Sequence, residues 1–114
     1  MSRFDLNKFM MFVDGTTESL EDFCSDRDGF VRRWTRAAAE SQRPVPNGGP
    51  LSELEQAALI SLDVGALYEM GSHPYILLHF ARAIEVDVNG VPFPEFDRAY
   101  KAAVTPHGYP NFAT

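Results

Sequence analysis

Apolar residues recur at three- and four-residue spacing along most of this chain, the period of a helix with one buried face. Leu6, Phe9, Met10 and Val13 form the first such stripe. Leu20, Phe23 and Cys24 form a second, and Phe30, Val31 and Trp34 a third, extended by the helix-favouring run Ala37 to Ala39. The stretch from Leu51 to Val86 carries the densest pattern and predicts two or three short helices. Leu77, Phe80, Ala81 and Ile84 supply its last apolar face. Phe96, Ala99, Tyr100 and Ala103 share the face of a final helix opened by Pro94.

Polar punctuation places the ends. Asp5 is an N-cap candidate, with Phe4 and Phe9 at the spacing of a hydrophobic staple. Asp14-Gly15 stops that helix and Thr16 or Thr17 caps the next. Ser25, with Asp28 three residues on, is the expected start of the third. Ser52 and Glu55 match a capping box, and Asp63 matches a second cap, with Leu62 and Leu67 as its staple. Gly71 has the position of a C′ glycine, Ser72 is the expected start of the next helix, and Pro74 falls in its first turn. Asn89-Gly90 between valines is a hairpin signal, although the arms allow only a small ribbon or an irregular turn. Residues 41–50, SQRPVPNGGP, hold three prolines and two glycines and predict a surface loop. Thr105 to Thr114 predicts an extended tail, in which Tyr109 and Phe112 could anchor on the domain or on a partner. The expected fold is all-α: a compact orthogonal bundle of five to six short helices with an irregular, extended C-terminal tail.

Length and composition fit one domain over residues 1–114, large enough to bury a core without a disulfide or structural metal. The formal net charge of -6 disfavours nucleic acid and an anionic membrane surface. One cysteine excludes an internal disulfide and a cysteine-based zinc site. The start, MSRFDLNKF, has no signal-peptide run and no apolar stretch reaches membrane-spanning length, so a cytoplasmic protein is expected.

No reactive constellation stands out. His73 and His79, six residues apart, fall on roughly opposite sides of one helix, and neither HExxH nor a three- or four-residue ligand spacing occurs. A small metalloprotein using His73, His79 and His107 is the weakest reading. His73 at a helix start can serve backbone or solvent, and His79 suits surface, interface or core. Either could also face a ligand or partner. Cys24 fits a buried small hydrophobe, and the serines fit caps rather than nucleophile elbows. Gly48-Gly49 lacks the context of a phosphate loop. Arg27, Arg32, Arg33, Arg36 and Arg43 are interleaved with acids and suit a solvated face. The second half is rich in aromatic side chains, which serve cores, interfaces and planar-ligand pockets alike.

FDLNKFMMFV, the segment ending DGFVRRW, and LSELEQAALISLDVGALYEMGSHPYILLHFARAI together resemble a known family. It is the small, all-helical LigA-type subunit of extradiol ring-cleaving dioxygenases of the protocatechuate 4,5-dioxygenase kind. The matching positions are Phe4 to Lys8, Trp34, Leu51-Ser52, Asp63, Gly71-Ser72 and His73-Pro74-Tyr75. The family's glycine-asparagine turn is Ser72-His73 here, the join from Thr35 to Pro50 is longer, and Val86 or Val88 occupies the region where the family uses an aromatic at the pocket mouth. The resemblance implies a noncatalytic subunit with no cofactor of its own. Iron(II) and its ligands would belong to a catalytic large subunit acting on catechol-like aromatic acids. It implies pocket-lining or partner-contact roles for His73 and Tyr75, with His79, Val86 and Val88 as further candidates. The alternative is a free-standing helical binding or interaction module, monomeric or homo-oligomeric, that keeps the fold without catalysis.

Overall fold

The computed structural model describes residues 3–40 and 48–107, with side chains from Asp5 onward in the first segment. Helix α1 (Arg3–Val13) turns Leu6, Phe9, Met10 and Val13 fully inward, as its stripe predicts. Thr16 caps α2 (Thr17–Ser25) by accepting the Ser19 amide at 3.1 Å. Ser19 is buried, and its hydroxyl lies 2.8 Å from the Val13 carbonyl and 3.0 Å from that of Phe12. Carbonyls left open at the end of α1 thus find a partner on α2, which fixes the corner between the two helices.

Helix α3 (Arg27–Glu40) is capped by Asp26, whose carboxylate accepts the Gly29 amide at 3.0 Å. Ser25 does not open it: Ser25 closes α2, and its hydroxyl donates to the Asp22 carbonyl. Asp28 instead pairs with Arg32 at 2.7 Å. Asp5 is not a cap either. It lies inside the first turn of α1, and its Oδ1 accepts the Gly49 amide at 2.7 Å. Gly48, at φ +99, approaches the backbone of Asp5 so closely that a Cβ there would meet the Asp5 Cα at 3.2 Å. The end of the expected surface loop is therefore pinned to α1, and Gly48 is buried. Residues 41–47 of that loop, the Phe4 ring of the expected staple, and the tail from 108 with Tyr109 and Phe112 lie outside the described residues and side chains.

Helix α4 (Glu53–Ser61) carries the complete capping box: the Glu55 amide donates to Ser52 and the Ser52 amide to Glu55. It ends on Leu62 at φ 54, with Leu62 donating to the Leu59 carbonyl and Asp63 to that of Ala58. This is a Schellman closure with leucine where glycine is usual, a conformation costing roughly 1–2 kcal/mol for an L-residue. Asp63 then caps α5 (Val64–Glu69) through the Ala66 amide. α5 closes in the same motif with Gly71 at φ +94, Gly71 donating to Tyr68 and Ser72 to Leu67.

Helix α6 (Pro74–Arg82) buries Leu77, Phe80 and Ala81. It does not give way to a hairpin. The chain keeps winding as a π-helical segment over Ala83–Val88, and Gly90, at φ +76, follows its Asn89 cap. The strand preference of the valines loses here because Ala83 and Ile84 prolong the buried stripe of α6. Helix α7 (Phe93–Val104) buries Phe96, Tyr100 and Val104, while Ala99 stays exposed. A 3₁₀ turn over Thr105–His107 follows in place of an extended start to the tail, and His107 meets the Glu69 carboxylate at 2.8 Å. The result is an all-α bundle of seven short α-helices, one or two more than the apolar stripes predict, with no strand among the described residues.

Aromatic packing holds the first half together. The Phe9 ring makes edge contacts with Phe23, Phe30 and Trp34 at 5.8, 5.8 and 5.1 Å. Phe23 carries the cluster on to Phe80 of α6 at 5.6 Å. Each such pair adds about 0.5–1.5 kcal/mol beyond its area burial. We predict that Phe9→Ala destabilises the protein by about 3–5 kcal/mol in chemical denaturation, a large part of a domain's usual margin. Met11→Ala, at an exposed position of the same helix, should change stability by less than about 0.5 kcal/mol.

Candidate functional site

The turn between α5 and α6 is built by three local devices. Gly71 supplies the left-handed residue, and the buried Ser72 hydroxyl donates to the Leu67 carbonyl at 2.8 Å. His73, not Ser72, is the N-cap: its Nδ1 accepts the Tyr75 amide at 3.2 Å. Pro74 at the first helical position needs no amide partner. Because Nδ1 accepts, the neutral imidazole carries its hydrogen on Nε2. The His73 and Tyr75 rings lie 5.9 Å apart, and both residues are exposed.

Helix α1 supplies the other wall. The His73 amide donates to Asn7 Oδ1 at 2.9 Å. Six residues further along α6, His79 Nδ1 meets Asp14 Oδ2 at 2.7 Å. Both links advance in the same direction on both helices, so α1 and α6 run parallel. His79 reaches α1 through its ring and His73 through its backbone amide, the His73 ring being turned to its own helix start as the cap. At the Asn7 end the seam opens into a shallow groove of about 490 Å³ lined by Asn7, Tyr68, Ser72, His73 and Pro74.

Of the five candidate residues, His73 lines this groove and Tyr75 stands beside it through the ring contact. His79 lies along the seam, 70% exposed in its side chain, against an Asp14 only 9% exposed. Val86 and Val88 belong to the π-helical segment, the first half-buried and the second exposed. None of these last three lines the groove. Asn7 was not foreseen, and Tyr68 was singled out only as one of the aromatics of the second half. Asn7 lies 66 residues from His73, and a lone helical asparagine carries no local signal for such a pairing. Phe93 was also missed as a surface group. It is 45% exposed at the start of α7, with the Arg82 guanidinium 4.8 Å from its ring centroid, a cation–π pair.

Among the described residues no three His, Cys, Asp or Glu side chains come together in a way that could hold a metal ion. His79 and His107 are each engaged by one carboxylate, and His73 by the backbone. Cys24 is half-buried, and burial pushes its thiol above the ordinary range; Arg27 opposes that shift and Glu85 adds to it. It is therefore protonated and a poor nucleophile near neutral pH. No helix among the described residues is long and apolar enough to cross a membrane.

Comparison of the chain with protein-family models, with curated proteins and with solved structures gave no match. The family resemblance rests on the residues quoted above. One side-chain bond, from the His73 amide to Asn7, ties the groove to α1. Asn7→Ala should destabilise the protein by only about 0.5–1.5 kcal/mol while speeding amide exchange at His73, measured by NMR.

Proposed function

We propose that this chain is a noncatalytic recognition subunit, specifically the small helical subunit that completes the active site of an iron(II)-dependent extradiol ring-cleaving dioxygenase. The observation that carries this reading is the groove at Asn7, Tyr68 and His73. It is a preformed, partly aromatic concavity with hydrogen-bonding groups. It falls on Gly71-Ser72-His73-Pro74-Tyr75, part of the stretch that resembles the family.

Iron(II) has no fitting ligand set among the described side chains of this chain and would belong to the catalytic partner. There the metal would engage a catechol-like aromatic acid and dioxygen. The residues here would act on shape and solvent. Tyr75 and His73 would close one side of the pocket mouth and exclude water from it. The His73 Nε2–H is a donor suited to an acceptor on the partner or on the acid substrate. His79, Val86 and Val88 would contribute to the partner contact away from the groove. The free-standing interaction module is the competing reading. It is favoured by apolar side chains exposed outside the groove, Met11 and Phe12 among them.

The test is reconstitution. This chain alone, supplied with iron(II) and a catechol-type acid, should open no ring. Mixed with a metal-binding large subunit of the proposed kind, it should raise that subunit's kcat/KM by at least about tenfold. In the assembled enzyme Tyr75→Ala should act mainly on KM. Ring opening by this chain alone would sink the subunit reading, and so would a partner indifferent to its presence.

A further inference from the structure

A second concavity lies at the other end of α1 and shares no lining residue with the groove at His73. The end of α1, α2 and the start of α3 enclose an apolar groove of about 570 Å³. Met11 and Phe12 line it while 49% and 41% exposed, and Phe30 lines it from α3. These rings are held in place from behind. Phe12 packs 4.8 Å from Trp34, and Phe30 lies 5.8 and 5.6 Å from Phe9 and Phe23. A partner would therefore meet a surface already in its bound shape, at small ordering cost.

The charge at this groove has one sign. Glu18 and Asp22 line it, and no cationic side chain does. They are one turn apart on α2, with Cβ atoms roughly 6 Å from each other. Among the described residues neither carboxylate has an ion-pair partner. Asp26 and Asp28 nearby are matched by Arg33 and Arg32.

We propose that this groove docks a basic amphipathic helix of a partner protein. Apolar residues at three- and four-residue spacing would enter between Met11, Phe12 and Phe30. Lysine or arginine side chains one turn apart on the flank of that helix would pair with Glu18 and Asp22. A second copy of this chain is a poor occupant, because a two-fold contact sets the patch against itself and brings like carboxylates together. The same charges repel an anionic membrane.

The probe is a synthetic amphipathic helix of leucine and lysine, with a leucine–glutamate helix of the same pattern as control. Binding to the full chain is read by fluorescence anisotropy. The lysine helix should bind saturably and the glutamate helix should not. Met11→Ser and the double variant Glu18→Lys/Asp22→Lys should each weaken binding by at least about tenfold. Glu40→Lys/Asp87→Lys, exposed elsewhere and equal in charge change, should alter it by less than about twofold. Circular dichroism confirms that the variants keep their helix content. Equal loss in the two double variants would reduce the effect to bulk charge and overturn the proposal. Absence of saturable binding would overturn it too, as would a wild-type dimer in sedimentation that Met11→Ser dissociates.

Discussion

Phe9 is the side chain against which the rest of the bundle is set. One ring on α1 meets α2 through Phe23 and α3 through Phe30 and Trp34, and Phe23 passes the contact on to Phe80 of α6. Edge-to-face packing constrains angle as well as distance, so four helices are oriented by one cluster. Trp34 is held there by ring contacts, since its buried indole N–H has no hydrogen-bond partner among the described residues. Both grooves follow from this arrangement. The cluster links α1 to α6 through Phe23, and the groove at His73 lies where the α1–α6 seam opens. The apolar groove beyond Phe12 is the outer side of the same aromatic packing.

Polar groups then fix what the apolar cluster leaves free. Ser19 ties the end of α1 to α2, Asp5 ties its start to Gly49, and Asn7 and Asp14 tie its flank to α6. Net gains of about 1 kcal/mol are typical for such bonds. Their contribution is position: each selects one register between elements whose apolar faces alone would permit sliding. At the far end Gly65 allows α5 to approach α7 so closely that a Cβ would meet the Ala103 carbonyl and the His107 ring, each at 2.9 Å.

What was legible in the sequence divides by distance along the chain. Devices confined to four or five residues could be read directly: the Ser52–Glu55 box, the Thr16 and Asp63 caps, Gly71, and Pro74 in a first turn. The apolar stripes gave the all-α class and most of the core. Polar residues whose partners lie far away could not be assigned. Asp5 has the local look of a cap, but its nearest unsatisfied donor is the Gly49 amide, 44 residues on. The break between α4 and α5 was signalled by the Asp63 cap, whereas the left-handed Leu62 that makes it carries no signal of its own. The valines after Ile84 suggested a ribbon because local propensity does not register the buried stripe that keeps them helical. In the candidate site, His73 and Tyr75 were named through the family resemblance of their turn, and they sit at or beside the groove. Asn7 completes it from α1, 66 residues away, which no spacing rule reaches.

The functional account depends on the turn at Gly71 to Ile76 being a buried contact in the working assembly. Amide hydrogen exchange, with and without a metal-binding large subunit of the proposed kind, measures this directly. The account predicts slower exchange across 71–76 on mixing, with little change near Ala103 at the far end of α7. Unchanged exchange across 71–76 in a mixture that forms a complex would contradict it.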